Sequence, residues 1–263
     1  MDLGLKDRIA FVAAASRGLG RAVAEELAAE GCALILCARS EEALNKTCEE
    51  IAKTYGNKVL GLACDVSDPY AVERTIAAGI EHFGTIDILV TNAGGPPTGR
   101  FETLDRDAWE SATHLTLRSV VELCRSVVPH MRARKWGRIL NITSIAVKQP
   151  VANLMLSNSL RAAVTGFART LANELATDGI TVNNILPGYT KTERVEELAM
   201  ALSTRDSQDP SSLYAKWEAE IPMKRLGEPR EFAALAAFLV SERASYITGT
   251  STTVDGGWVQ SLL

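Results

Sequence analysis

The segment Ala13-Ala14-Ala15-Ser16-Arg17-Gly18-Leu19-Gly20 places a turn of small side chains between an apolar run and a stretch of helical period. Backbone N–H groups in such a turn, together with the positive end of the following helix, can approach a pyrophosphate closely. Two arginines stand beside it in the reading: Arg17 within the turn, and Arg39 at the end of the second apolar run, Cys37-Ala38-Arg39-Ser40. Guanidinium groups fit phosphate oxygens in a bidentate way, and no acid occupies that second position to receive a ribose hydroxyl instead. Further along, Ser157 and Arg161 are four residues apart in a helical stretch and so share one helix face. The cysteines Cys32, Cys37, Cys48, Cys64 and Cys124 contain no C-x-x-C pair and are odd in number, which reads as small buried thiols in a reducing compartment. His82, His114 and His130 lack ligand-like spacing to cysteines or acids, so no metal site is expected.

These residues need a scaffold, and the apolar pattern describes one. Strand-length runs at Ile9–Ala13, Ala33–Ala38, Val59–Cys64, Ile86–Val90, Arg138–Ile142, Ile180–Leu186 and Ser251–Val254 alternate with helical stretches, the pattern of a parallel α/β sheet. The helices are expected at Leu19–Glu30, after Ser40, after Ser67-Asp68-Pro69, at Asp107–Met131, at Asn153–Thr177, near Glu193–Trp217, and after Glu228-Pro229. Ser40 can cap its helix, whose first turn carries Glu41 and Glu42, and Pro69 suits a first helical turn. No polar linker and no internal repeat divides the 263 residues, so residues 1–263 are expected to form one domain. The polar stretch Ser203–Ser212 reads as a mobile surface loop, part of a substrate lid at about 190–222 beside the carboxyl ends of the strands.

The glycine turn is joined in order by Cys64-Asp65-Val66, Thr91-Asn92-Ala93-Gly94, Asn141-Ile142-Thr143-Ser144, Leu186-Pro187-Gly188 and Val254-Asp255-Gly256-Gly257. Over nearly the whole chain these motifs resemble the short-chain dehydrogenase/reductase family, in particular its 3-oxoacyl-acyl-carrier-protein reductase branch. The resemblance implies a Rossmann-type doubly wound parallel sheet of about seven strands with helices on both faces, a nicotinamide cofactor and a homotetramer. It implies that Ala14, Ser16, Arg17, Gly18, Leu19 and Gly20 form the cofactor turn, that Asp65 and Val66 border the adenine, that Asn92, Ala93 and Gly94 border the adenosine ribose, and that Pro187 and Gly188 lie along the nicotinamide. With Arg17 and Arg39 present and no acid at the second strand's end, NADP(H) is favoured over NAD(H).

The chain departs from the family where the chemistry is done. The register from Ser144 and from Gly166-Phe167 puts Ser157 where the family has its tyrosine and Arg161 where it has its lysine, and Thr116 falls where the family has an asparagine. Ser144 matches the family's serine. A phenol begins near pKa ~10 and can be lowered by a neighbouring cation, whereas a serine hydroxyl is far less acidic and arginine does not shuttle protons; Arg161 is expected to bind the cofactor by steadying its ribose, or to stabilise developing negative charge. Ser157, a water or Tyr189 is expected to complete proton delivery, with Tyr214 and Lys148 as weaker candidates. Ala14 stands where the family has a glycine; it costs energy if the position needs positive φ and is tolerated if only a small side chain is needed.

Composition narrows the partners. The formal net charge of -4, without a Lys/Arg cluster, argues against nucleic acid or an anionic membrane surface. No uninterrupted apolar stretch comes near the roughly 18 residues a membrane span needs, and the N-terminus lacks a secretory pattern, so a cytoplasmic protein with a small-molecule or acyl-thioester substrate is expected. The reading is an oxidoreductase acting on a carbonyl or secondary alcohol; the altered tetrad leaves open a non-redox member of the same fold that binds a nucleotide or acyl ligand.

Overall fold

Seven strands make one parallel sheet: β1 (Ile9–Ala13), β2 (Ala33–Ala38), β3 (Val59–Ala63), β4 (Ile88–Thr91), β5 (Gly137–Ile142), β6 (Ile180–Pro187) and β7 (Ser251–Val254). Their spatial order is β3-β2-β1-β4-β5-β6-β7. This computed structural model describes residues 1–206 and 209–262. The chain winds outward from β1 to β3, returns to the centre at β4 and then winds the other way, which opens a crevice at the carboxyl ends of β1 and β4.

Helices cover both faces, which is why the central strands are apolar without alternation. They are α1 (Gly18–Ala29), α2 (Glu41–Tyr55), α3 (Pro69–Phe83), α4 (Arg106–Thr113), α5 (Ser119–Arg134), α6 (Met155–Leu175), α7 (Glu193–Asp206), α8 (Pro210–Glu220) and α9 (Pro229–Leu239). On one face Ala10, Val12, Leu34 and Leu36 meet Val23, Leu27, Leu44 and Phe232. On the other, Phe11, Ile35, Leu89 and Val182 meet Ile76, Val127, Val164 and Ala168. The period of two along β1 thus feeds two cores rather than one core and solvent. Among the described residues no helix is long and apolar enough to cross a membrane.

Local chemistry sets the helix starts. Ser40 Oγ accepts from the Ala43 N–H, Asp68 accepts from the Tyr70 N–H with Pro69 in the first turn, and Asp105 accepts from the Ala108 N–H. Three expectations change. The helix expected at Asp107–Met131 is interrupted by a π-helical turn at His114–Arg118, which places Thr116 at an irregularity of the backbone. The helix expected from Asn153 begins at Met155, because Asn153 sits in the left-handed region at φ 63°. The polar Ser203–Ser212 stretch is helical on both sides rather than a loop: α7 runs to Asp206 and α8 opens at Pro210, capped by Asp209, while residues 207 and 208 lie outside the described residues. Asp209-Pro210 repeats the Asp68-Pro69 pattern, a start signal that the polar composition masked.

A chain of buried side-chain hydrogen bonds crosses the second half of the sheet. Thr91 Oγ1 on β4 donates to Asn141 Oδ1 on β5 (2.8 Å), Asn141 Nδ2 donates to Asn184 Oδ1 on β6 (3.1 Å), and Asn184 Nδ2 donates to Ser251 Oγ on β7 (3.1 Å). Removing its centre strands partners on both sides in a dry environment. Asn141→Ala is therefore expected to lower unfolding stability by about 2–4 kcal/mol with an unchanged urea m-value; a loss under 1 kcal/mol in urea titration would show that the ladder is dispensable.

Candidate active site

The first helix is built differently from its neighbours. Where α2, α3, α4 and α8 each have a side-chain cap, the residue before α1 is Arg17, which supplies no cap, and its first turn carries no acid. The leading N–H groups of α1 are thus left for another acceptor at the positive end of the helix. The turn before it is tight. Gly18 has φ 58°, and a Cβ at Gly20 would lie 2.3 Å from the Ala14 carbonyl oxygen and 2.9 Å from Asn92 Nδ2. Gly20 therefore lets the turn, the helix and the loop after β4 close on one another, while a Cβ at Gly94 would meet nothing within 4 Å. An open backbone beside an uncapped helix fits a dinucleotide phosphate group.

Ala14 answers the question its side chain posed. Its φ is 50°, so the position does take the left-handed region that glycine favours, and the alanine carries local strain of about 1 kcal/mol. Ser16 and Leu19 complete the turn. Arg17 is exposed and pairs with Glu197 of α7 at 2.9 Å. Arg39 is exposed at the end of β2, and its charge reaches Asp65 after β3. Burial opposes ionisation of Asp65, yet the Ser67 backbone and hydroxyl hydrogen bonds, with Arg39, hold its carboxyl below the ordinary value. Val66 beside it is buried.

The residues at the tetrad positions come from three elements around β5. Ser144 follows β5, and its Oγ accepts from the Ala146 N–H at 3.1 Å, capping a short helical turn that ends just before Lys148. Ser157 and Arg161 lie on α6; Ser157 is half-buried and makes no side-chain hydrogen bond to a described residue. Arg161 Nη1 donates to the carbonyls of Ile142 (3.1 Å) and Thr143 (2.8 Å), so its charge sits one peptide from Ser144. Burial, and then the Arg194 charge, push Arg161 down to about 10. Thr116, Thr143, Asn92, Ala93 and Arg161 line a cavity of about 10 Å³, close to the room one water needs, and the Thr116 and Thr143 hydroxyls in it are buried without a partner.

Pro187 and Gly188 end β6 against β7, where a Cβ at Gly188 would lie 2.7 Å from Asp255 Cα. Tyr189 stacks on Trp217 of α8 at 4.7 Å and meets Trp258 edge-on at 6.1 Å. Burial, then Glu220, push its phenol up to about 12, which makes it a weaker acid than an ordinary tyrosine. Tyr214 packs edge-on to Trp217.

The sequence reading missed the α7 side chains. Thr192, just before α7, lies within 3.8 Å of the Cβ position at Gly18, and Arg194 Nη2 donates to the Pro96 carbonyl at 3.1 Å in the loop after β4. A Cβ at Gly95 would sit 2.5 Å from Arg194 Nη2. The available signal was Arg194, a single base among Glu193, Glu196 and Glu197 at the start of a helix.

This arrangement defines a Rossmann-type α/β protein with a nucleotide crevice at the reversal of strand order. Residues 13–259 match the family model described as enoyl-(acyl carrier protein) reductase. The chain is 34% identical over 255 residues to the 3-oxoacyl-acyl-carrier-protein reductase FabG of Vibrio cholerae, covering 97% of this chain and 98% of that protein. It is 35% identical over 252 residues to the short-chain reductase protein NovJ of Streptomyces niveus, covering 96% and 94%. Its structure is similar to that of L-sorbose reductase from Gluconobacter frateurii complexed with NADPH and L-sorbose, with a TM-score of 0.95, 34% identity and both chains covered in full. The chain belongs to the short-chain dehydrogenase/reductase family.

The turn makes a prediction of unusual sign. Ala14→Gly is expected to leave stability unchanged or raise it by up to about 1 kcal/mol, because relief at positive φ offsets the added freedom of the unfolded chain. Gly20→Ala, whose Cβ meets backbone, is expected to cost about 1–3 kcal/mol. Thermal unfolding of both variants checks this; a destabilised Ala14→Gly protein would contradict the strain at residue 14.

Proposed function

We propose that the protein is an NADP(H)-dependent oxidoreductase that transfers hydride between the nicotinamide and a carbonyl or secondary alcohol, a 3-oxoacyl thioester being one candidate. The carrying observation is the uncapped N-terminus of α1, closed against Asn92 and flanked by Arg17 and Arg39. Two proteins of similar structure, L-sorbose reductase and an actinorhodin polyketide ketoreductase, were both solved with NADPH bound, which supports the same reading. Ala14, Ser16, Gly18, Leu19 and Gly20 hold the pyrophosphate, Arg17 and Arg39 take the 2′-phosphate, Asp65 and Val66 border the adenine, Asn92 to Gly94 the adenosine ribose, and Pro187 and Gly188 the nicotinamide.

When bound, the nicotinamide supplies or accepts the hydride; the chain's own groups orient the partner and manage charge. Ser144 donates a hydrogen bond to the substrate oxygen. Arg161, anchored on two carbonyls, places positive charge where that oxygen becomes negative in reduction, a preorganised arrangement that costs no reorientation during the step. Ser157 shares the helix face of Arg161 and relays the proton, with the Thr116 cavity able to hold a water behind it. Tyr189 is the second candidate, disfavoured by its raised pKa. The segment at about 190–222, with α7 and α8, forms the lid of one domain spanning residues 1–263. We infer a cytoplasmic homotetramer, with α5 and α6 forming one interface and the segment 247–258 the other; light scattering on the eluted protein is expected to give four chains, and a monomer would overturn it.

Glu197 competes for Arg17, so the cofactor's phosphate must displace it. Calorimetry is expected to show NADPH binding at micromolar strength and at least 10-fold tighter than NADH, with Arg39→Ala removing most of that difference. Glu197→Gln is expected to tighten NADPH binding about 2- to 5-fold, the scale of an exposed ion pair, and to leave NADH unchanged. No binding of any nicotinamide form would overturn the oxidoreductase reading. In NADPH-oxidation assays Ser144→Ala is expected to lower kcat about 10²- to 10³-fold; a greater loss in Tyr189→Phe than in Ser157→Ala would transfer the proton role to Tyr189.

A further inference from the structure

Two guanidinium groups reach the loops at the carboxyl ends of β5 and β4. Arg161 reaches the carboxyl end of β5 through the Ile142 and Thr143 carbonyls. Arg194 reaches the loop after β4 through the Pro96 carbonyl and lies against Gly95. Those two strand ends are neighbours, since β4 pairs with β5 in register at Thr91 and Asn141. Asn92 and Ala93 of the β4 loop line the same cavity as Arg161.

Arg161 is held by backbone carbonyls alone, and Arg194 by a backbone carbonyl and one long ion pair. The one carboxylate within ion-pair range of Arg194 among the described residues is Glu197, at 3.7 Å from Nη1, and it lies closer to Arg17, at 2.9 Å. No described carboxylate forms an ion pair with Arg161, and the charge it feels most, after burial, is the like charge of Arg194. Arg161 is a buried cation with no acid beside it, and Arg194, half-exposed, shares its one carboxylate with Arg17, so an anion bound by both would relieve the unpaired charge of Arg161. The cofactor phosphates are accounted for elsewhere, by the α1 N-terminus and by Arg17 and Arg39.

Resting on the reading of the site as a carbonyl-reducing one, we propose that Arg194, acting with Arg161, binds a carboxylate of the substrate, so that the protein selects ketones bearing a carboxylate close to the carbonyl over their neutral counterparts. Ser144 then takes the carbonyl oxygen one peptide from Arg161, and the carboxylate lies toward α7. Arginine suits this task because its planar fork can keep one N–H on the backbone and offer others to a carboxylate.

The test compares 4-phenyl-2-oxobutanoate with its methyl ester under saturating NADPH, and titrates oxamate against neutral oxamide into the protein by calorimetry, with and without NADPH. Wild-type protein is expected to prefer the acid at least 10-fold in kcat/KM and to bind oxamate but not oxamide. Arg194→Gln is expected to reduce the preference to within about 3-fold, through KM for the acid, with NADPH affinity and the ester's kcat retained; Arg194→Lys keeps part of it. Equal use of acid and ester, or an Arg194→Gln protein that loses NADPH affinity while keeping the acid preference, would overturn the proposal and leave the oxidoreductase reading standing. Absence of NADPH binding would overturn that reading instead, and the oxamate titration of free wild-type and Arg194→Gln protein would then decide the anion site alone: binding that the variant loses supports it, and no binding, or binding the variant keeps, overturns it.

Discussion

Only a hydrogen atom fits at the α-carbon of residue 20 on the side facing the sheet. With the Ala14 carbonyl 2.3 Å and the Asn92 amide 2.9 Å from where a Cβ would stand, α1 is pressed against both the end of β1 and the loop after β4. That close approach turns a topological feature, the reversal of strand order between β1 and β4, into a crevice whose floor is peptide backbone. It also aims the unsatisfied N–H groups of α1 into the crevice, since no side chain caps them. The strained φ at Ala14 belongs to the same turn: the chain reverses tightly there whether or not the residue is glycine.

The other half of the site hangs from the buried ladder that joins Thr91, Asn141, Asn184 and Ser251. Each link fixes the relative height of two adjacent strands, because a side-chain hydrogen bond in a dry sheet tolerates little displacement. Ser144 leaves the sheet three residues beyond Asn141, and Gly188 four beyond Asn184. Their positions relative to Asn92 therefore follow from strand register rather than from the loops that carry them. Arg161 adds a strut from α6 to the end of β5, its guanidinium hydrogen-bonded to two backbone carbonyls.

Electrostatically the crevice has two ends. At the β2 and β3 side, Arg39 faces the ionised Asp65, and Arg17 is shared with Glu197, so the charges there are largely balanced before any ligand arrives. At the β5 and α6 side, Arg161 is held by carbonyl dipoles alone, and Arg194 by the Pro96 carbonyl and a longer pair with the same Glu197. Ser157 and Arg161 offer a hydroxyl and a guanidinium that stays positive, so orientation and charge stabilisation are what these two side chains can supply.

Apolar periodicity determined the sheet, its two covered faces and the helix starts at Ser40 and Asp68, because those features depend on residues near one another in the chain. The glycine turn was legible from its small residues between strand and helix; Asn92, Ser144, Ser157, Arg161 and Gly188 were singled out through the resemblance to the family's ordered motifs. The π-helical turn at Thr116 and the reach of Arg194 and Glu197 across the crevice were not. Both depend on how α5, α6 and α7 pack, and the sign of φ at Ala14 on how α1 closes against the end of β1 and the loop after β4. Sequence spacing carries the chemistry of groups three or four residues apart; whether two arginines 33 positions apart come to share one crevice is decided when β4 and β5 are paired and α7 closes over their ends.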